Sequence, residues 1–226
     1  MNLSIILPIF NEENVVEQSI KTILHTVDTY CNKLEIVAIN DGSVDNTATI
    51  LKLLQRKDKR IKVINHEENK GYGAALRSGM HHASYEWIFF TDADMQFNIQ
   101  EIDKFIKMRK NYDFIAGFRK NRADPLKRKI ISYIYNRIIR YTFGLPLKDV
   151  DCAFKLMRKS AVKQIPFYSD SFFVSVELMT KAYKNNFRIL EIGVSHFPRI
   201  KGVSKVTSKQ IIYTVFDLAK LYRSQV

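Results

Sequence analysis

Cysteine is scarce: Cys31 and Cys152 are the only two in 226 residues, too few for a disulfide framework or for a zinc site built of cysteine alone. Long apolar runs are missing as well. None exceeds four residues, as at residues 36–39 and 87–90, where a membrane-spanning helix needs about 20. The first residues, Met1-Asn2-Leu3-Ser4, carry no basic stretch or cleavage site, so no secretory signal is expected. Together these absences point to a reduced, cytoplasmic setting. No segment rich in glycine, proline or serine marks a linker, and neither repeats nor low-complexity tracts occur. One domain over residues 1–226 is the economical reading.

What is present is ordinary in amount and uneven in placement. Apolar residues make up 46% and charged residues 26%, a composition that folds and buries a core. The net charge is +13. Residues 1–118 hold 14 basic and 16 acidic side chains, whereas residues 119–226 hold 22 and 7. All the excess therefore lies in the second half, as a solvated face or as a surface for an anionic partner.

Strand and helix patterns alternate through the first half. Short β-branched runs at residues 3–10, 34–40, 61–65, 86–91 and 114–117 read as strands. Helical periodicity covers 11–29, a stretch from Asp45 or Asn46 to 57, then 71–82 and 98–110. The second half gives helices at 127–143, 175–185 and 208–224 and strands at 153–158 and 189–197. Such alternation predicts an α/β fold with a doubly wound, mostly parallel sheet flanked by helices, its ligands at the carboxyl ends of the strands.

Those ends carry the polar residues. The first strand runs into Pro8-Ile9-Phe10-Asn11-Glu12, the second into Asn40-Asp41-Gly42-Ser43, the fourth into Thr91-Asp92-Ala93-Asp94-Met95-Gln96. Asp92 and Asp94, one residue apart after an apolar strand, suit a hard divalent cation such as Mg²⁺ or Mn²⁺, with Gln96 adding a neutral oxygen. Asp41 offers an acceptor for a base or a ribose hydroxyl, although Asp-Gly-Ser is also a common turn. Gly71-Tyr72-Gly73 lacks the full patterns of a phosphate loop or a dinucleotide fingerprint, which argues against an ATPase or an NAD-dependent dehydrogenase. Lys70 and Arg77 are either diphosphate contacts or surface charges.

Four segments taken together resemble a family. S-I-I-L-P-I-F-N-E-E (4–13), N-D-G-S-V-D-N-T (40–47), N-K-G-Y-G-A-A-L-R-S-G (69–79) and T-D-A-D-M-Q (91–96) look like a family 2 glycosyltransferase of the GT-A fold. Gly117-Phe118-Arg119, D-V-D-C-A-F-K-L-M-R (149–158) and R-I-K-G-V-S-K (199–205) resemble its polyprenol-phosphate (dolichyl-phosphate) mannosyl- or glucosyltransferase branch. Ala153 and Lys155 stand where that branch commonly has glycine and arginine. The resemblance implies an inverting hexosyltransferase using a GDP- or UDP-hexose donor and a polyprenyl phosphate acceptor, or a sugar hydroxyl acceptor in the related polysaccharide enzymes. It implies that Pro8, Phe10, Glu12, Asp41 and Ala93 hold the nucleotide sugar with Lys70 and Arg77. Asp92, Asp94 and Gln96 would hold the metal, and Arg119, Arg128, Ser132, Arg199 and Lys205 would surround the phosphates. Asp151 would stand near the sugar as the third catalytic carboxylate beside Asp92 and Asp94. The chain would divide into a nucleotide-sugar half (1–97), an acceptor half (98–205) and a C-terminal amphipathic helix (206–226).

A phosphate monoester is largely ionised near neutrality, with a second pKa of about 6. Such an acceptor scarcely needs a base; a hydroxyl acceptor would make Asp151 the leading base candidate. Residues 119–140 hold eight Lys/Arg and one acid, interleaved with Ile130, Ile131, Tyr133, Ile134 and Tyr135. A basic, aromatic-rich amphipathic helix is suited to an anionic membrane surface, so the protein is expected to act peripherally at the cytoplasmic face, alone or with a membrane-protein partner. No nucleic-acid-binding module is recognisable. His25, His66, His81, His82 and His196 have no metal-ligand spacing, Cys152 and Trp87 read as packed residues, and Glu177 reads either as an acceptor-site residue or as part of a helix surface.

Overall fold

The computed structural model describes residues 1–122 and 126–198. Seven strands form one sheet in the order β3-β2-β1-β4-β6-β5-β7: β1 (Asn2–Ile9), β2 (Lys33–Asp41), β3 (Ile61–His66), β4 (Trp87–Thr91), β5 (Phe114–Lys120), β6 (Phe154–Arg158) and β7 (Ile189–Ser195). β1 pairs in parallel with β2 and β4, β2 with β3, and β5 with β7; β6 runs antiparallel to both β4 and β5. The helices are α1 (Val16–Val27), α2 (Thr47–Lys57), α3 (Tyr72–His82), α4 (Ile102–Met108), α5 (Leu126–Phe143), the short α6 (Lys159–Val162) and α7 (Val174–Lys184).

Alternation along the central strands fills both faces, the pattern required of a covered sheet. Leu3, Ile5, Leu7, Ile36, Ala38 and Phe89 pack with Val16, Ile20 and Ile23 of α1, Leu51 and Leu54 of α2, and Phe105 of α4. Ile6, Ile88, Phe90, Phe114 and Ala116 pack on the other face with Leu76 of α3, Ile139 and Phe143 of α5, and Val174 and Leu178 of α7. Among the described residues no helix is long and apolar enough to cross a membrane.

Boundaries depart from the periodicity where backbone groups are engaged from afar. The helix read from residue 11 begins at Val16: Asn11 is held at φ 52°, outside the helical region, and the N–H groups of Asn11, Glu12 and Glu13 are tied to Ser43, Thr47 and Asp45. The Asp45 carboxylate, rather than the Asn46 side chain, accepts the Thr47 N–H at the start of α2. The helix read over 98–110 is a 3₁₀ turn (Ile99–Glu101) followed by α4, with the Asn98 side chain accepting from Gln100. β5 continues to Lys120 because β7 pairs with its whole length. α6 has no counterpart in the sequence reading. The helix expected over 208–224 lies outside the described residues.

Candidate functional site

The pairing directions place one set of connections on a single edge of the sheet. β1, β2, β3 and β4 are parallel, so residues 10–12, 42–43, 67–71 and 92–96 leave the sheet on the same side. β5 points the same way because β6, between it and β4, is antiparallel to both; residues 149–153, which feed β6, therefore arrive at this edge too. The aspartates at 92, 94 and 151 thus converge from segments almost 60 residues apart.

The first two strand ends are laced together. Asn11, held at φ 52°, donates its N–H to the Ser43 hydroxyl (2.9 Å), and its side-chain oxygen accepts from Val44 (2.9 Å). Glu12 is buried, donates its N–H to Thr47 Oγ1 (2.9 Å), and follows the half-buried Pro8 and Phe10. Asp41 works inward. Its Oδ1 lies 2.6 Å from His66 Nδ1 and accepts the Lys70 N–H (2.9 Å), while Oδ2 accepts the Gly71 N–H (3.0 Å). His66 Nε2 lies 2.9 Å from the Ser78 hydroxyl. Three of the roughly four acceptor positions of a carboxylate are thus filled by the protein, so Asp41 shapes the 66–71 segment as well as facing the edge. Gly42 makes this possible: its φ is +68°, and a Cβ there would stand 2.3 Å from the Glu68 carbonyl carbon.

At the end of β4, Asp94 is buried and its Oδ1 accepts the Gln96 N–H (3.1 Å); Ala93 between the two aspartates is buried as well. Gln96 donates its side-chain N–H to the Phe197 carbonyl (3.0 Å) and accepts the Phe197 N–H at its backbone carbonyl (2.8 Å). Tyr72, stacked on Phe172 with ring centres 5.0 Å apart, donates its hydroxyl to Asp92 Oδ1 (3.1 Å). Burial holds the Tyr72 phenol well above its ordinary pKa, reinforced by the charges of Asp92, Asp94 and Asp151. The hydroxyl therefore stays neutral and holds Asp92 by a hydrogen bond.

That arrangement fits a divalent cation. Asp151 Oδ1 is buried with no hydrogen-bond partner, and burial together with the charge of Asp149 pushes its pKa up to about 6, against Arg119, Lys155 and Arg122. Buried negative charge without compensation is costly. Among the described residues no three His, Cys, Asp or Glu side chains close on one point. Two neighbouring carboxylates such as Asp92 and Asp94 match Mg²⁺, which takes one or two carboxylates and completes its shell with phosphate and water.

The 149–153 side of this edge is built on an ion pair. Arg119 reaches both Asp149 oxygens, Nε to Oδ2 and NH2 to Oδ1, each at 2.6 Å, and its N–H adds a third bond to Oδ2 (3.1 Å). Burial opposes this pairing on both partners, yet the bonds win: Asp149 is held below the usual carboxylate range and Arg119 above its own. The Asp149 N–H is in turn held by Glu191 Oε1 (3.0 Å). Lys155, fully buried, donates its ammonium to the carbonyls of Val150 (2.9 Å) and Cys152 and lies over the Phe90 ring. α5 closes the far side: Asn136 Oδ1 accepts the Val150 N–H (2.9 Å), Asn136 Nδ2 donates to the Ser132 carbonyl (2.8 Å), and Arg122 donates to the Ser132 hydroxyl. Arg128 is exposed on α5.

Other expected residues are placed as follows. Lys70 is exposed and meets Asp41 through its backbone. The Arg77 guanidinium is engaged by the Ser169 carbonyl (2.6 Å) and the Asp170 carboxylate, so it anchors residues 169–170 against α3. Glu177 is no helix-surface residue: it is buried, accepts the N–H groups of Tyr168 and Ser169 (2.9 Å each) and pairs with Lys181 (2.7 Å). Cys152 and Trp87 are buried. Arg199 and Lys205 lie outside the described residues. Tyr72, Arg122, Asn136 and Asp149 went unassigned in the sequence reading. Only Asp149 had a local signal, its alternation with Asp151; the others are defined by partners on distant elements.

Comparison with known proteins follows this geometry. Residues 4–166 match the sequence model of Glycosyl transferase family 2. A dodecaprenyl-phosphate galacturonate synthase from Rhizobium johnstonii is 29% identical over 222 residues, covering 96% of this chain and 65% of that protein. An undecaprenyl-phosphate 4-deoxy-4-formamido-L-arabinose transferase from Edwardsiella ictaluri is 28% identical over 221 residues, covering 96% and 66%. The chain thus spans slightly less than two thirds of the length of these curated relatives. Glucosyl-3-phosphoglycerate synthase from Mycobacterium tuberculosis, solved with phosphoglyceric acid, superposes with a TM-score of 0.75 at 15% identity over 99% of this chain and 79% of that one. The same enzyme with Mn²⁺, UDP and glucosyl-3-phosphoglycerate gives 0.74 at 16% identity over 97% and 80%. At such identities the likeness shows the fold, which is GT-A.

Proposed function

The chain belongs to glycosyl transferase family 2, and from that premise we propose that it moves a hexose from a nucleoside diphosphate sugar to a polyprenyl phosphate, with inversion at the anomeric carbon. The observation that carries this reading is the arrival of Asp92, Asp94 and Asp151 at one sheet edge, with Asp92 held by the Tyr72 hydroxyl, beside the Arg119–Asp149 ion pair. The relatives named for polyprenyl phosphate acceptors support the acceptor class. UDP is the first donor base to test, because the structural neighbours hold it.

Glycosyl transfer needs stabilisation of negative charge on the departing diphosphate and of positive charge at the anomeric carbon. Asp92 and Asp94, with Gln96 Oε1, would hold Mg²⁺ or Mn²⁺. When bound, the metal supplies Lewis-acid stabilisation of the diphosphate. Tyr72 fixes Asp92 through its hydroxyl, and stacking on Phe172 fixes Tyr72. Pro8, Phe10, Glu12, Asp41 and Ala93 would receive the nucleoside, with Lys70 at its rim. Arg128 and Ser132, with Arg199 and Lys205, would meet the acceptor phosphate. The guanidinium of Arg119 is committed to Asp149, and its part is to hold that segment so that Asp151 faces the sugar. An ionised phosphate acceptor attacks without a general base, and orientation then dominates. On this reading the reaction would run at the cytoplasmic face of a membrane.

A second reading, a sugar hydroxyl acceptor, is favoured by one observation: Asp151 at about 6 is placed to take a proton near neutrality. A transfer assay with labelled UDP-hexose, Mg²⁺ and a short-chain prenyl phosphate separates the two. The first reading requires product on the prenyl phosphate and a loss of about 10²-fold or more in kcat for Asp94→Asn. Product formed only on glycans, or an unimpaired Asp94→Asn, overturns it.

A further inference from the structure

His66 links side chains from three elements. β2 and β3 pair in parallel, and their register sets Asp41 against His66 at the carboxyl ends of both strands. The imidazole bridges outward from there. Its Nδ1 lies 2.6 Å from Asp41 Oδ1, and its Nε2 lies 2.9 Å from the Ser78 hydroxyl on α3. Both partners of the first contact are nearly enclosed, with the His66 side chain 8% and that of Asp41 5% exposed. Asp41 accepts in every contact: Oδ1 also takes the Lys70 N–H, and Oδ2 takes the Gly71 N–H. A carboxylate can only accept, so Nδ1 carries the proton that faces it. Ser78 suits either form of the ring, because a hydroxyl donates to a bare Nε2 and accepts from a protonated one. The seat of the ring therefore does not depend on its charge. Serine, histidine and aspartate in this order activate a nucleophile in hydrolases. Ser78, however, lies mid-helix, where the surrounding N–H groups are spent on α3 itself and cannot serve an oxyanion.

We propose that His66 is a positioning residue for the donor nucleotide: seated by Ser78, it fixes the Asp41 carboxylate so that one acceptor position, on Oδ2, is kept for the nucleoside. The inference rests on the reading of Asp41 as a nucleoside contact and adds the group that aims it. An aspartate carboxyl turns broadly about its second torsion. Without the ring, Oδ1 would keep the Lys70 N–H alone, and the carboxylate could rotate away from the edge. With the ring, Oδ1 is filled by two donors and the free position stays on the other oxygen. An acceptor set in advance spares the ligand the cost of ordering it, and bonds to a charged acceptor are the stronger ones. The strand ends do not need His66 to stay together. One register position earlier, Asn40 Nδ2 already donates to Asn65 Oδ1 (2.9 Å). The Asp41–His66 contact is thus the one of the two that bears on the ligand.

Calorimetric titration of the full chain with Mn²⁺ present tests it, using UDP or GDP, whichever the wild type binds more tightly. Three substitutions separate the bond to Asp41 from packing. His66→Asn keeps a side-chain N–H where Nδ1 stands and loses the reach to Ser78. His66→Gln keeps one only at the place of Nε2, and His66→Phe keeps the ring volume with neither. Affinity should fall at least about tenfold in His66→Phe and His66→Gln, and about threefold or less in His66→Asn. In transfer assays the donor KM of His66→Phe should rise by a larger factor than kcat falls. Circular dichroism and thermal melting confirm that the variants fold. Wild-type affinity in folded His66→Phe, or a His66→Asn that binds no better than His66→Phe, the order a packing role predicts, would overturn the proposal. Asp41→Ala separates the positioning role from the nucleoside contact. A loss there with none in His66→Phe removes the positioning role alone. Undiminished affinity in Asp41→Ala, or a wild type that binds neither nucleotide, removes the contact and the positioning role with it.

Discussion

Asp151 keeps one carboxylate oxygen buried without a partner, and its pKa rises to about 6 through burial and the neighbouring Asp149 charge. A carboxyl raised in the folded state favours folding at low pH. Its contribution is complete below about 4, the unfolded value, and is lost as pH climbs through about 6. A shift of this size corresponds to at most about 3 kcal/mol. Metal-free Asp151→Asn should therefore melt several degrees above the wild type at pH 7.5, and the two should converge near pH 4. A wild type that is the more stable at pH 7.5 would show that the ionised carboxylate is compensated. The gain in stability would come with reduced turnover, the usual exchange at a site built for binding charge. Asp92 and Asp94 stood out in the sequence because they follow an apolar strand, whereas Asp151 was singled out only by the family resemblance. Tyr72 was not, since its contacts are Asp92, 20 residues on, and Phe172, 100 residues on.

Strands and helices were readable where the apolar period was local, as in β1, β2, β4 and α3. Their ends were not, because contacts with other elements decide them: Asn11 sits at φ 52°, outside the helical region, and Ser43, Thr47 and Asp45 tie the N–H groups of residues 11–13 to the next loop. The antiparallel insertion of β6 between β4 and β5 left no local signal either; a buried strand shows the same composition in either direction. What that insertion creates is the junction of β5, the 149–153 segment and α5, held by Arg119–Asp149 and Asn136–Val150. Removing one partner of a buried pair strands the other charge at a cost of about 3–5 kcal/mol. Asp149→Ala should accordingly lower the melting temperature by about 10 °C or more, with a smaller loss for Asp149→Asn, which retains one acceptor for Arg119. A change below about 1 kcal/mol by denaturant titration would mean that the pair is not what holds this junction.

Across the molecule, charge and topology divide the labour. The nearly neutral first 118 residues supply the sheet edge where Asp41, Asp92 and Asp94 gather. The basic remainder supplies Arg119, Arg122 and the outward face of α5. This division was visible in the sequence as a charge step, but composition alone did not tell which cations point inward. Lys155 is buried, Arg119 is half-buried against Asp149 and Arg77 is engaged with residues 169–170, whereas Arg128 and Lys129 stand exposed on α5. The account rests on Asp92 and Asp94 joining a divalent metal to a nucleoside diphosphate. Calorimetric titration of UDP into the protein, with Mn²⁺ or with chelator, tests that directly. Binding should tighten at least tenfold with Mn²⁺ in the wild type and show no such gain in Asp94→Asn; equal UDP affinity in chelator, or an undiminished Mn²⁺ effect in the variant, would contradict it.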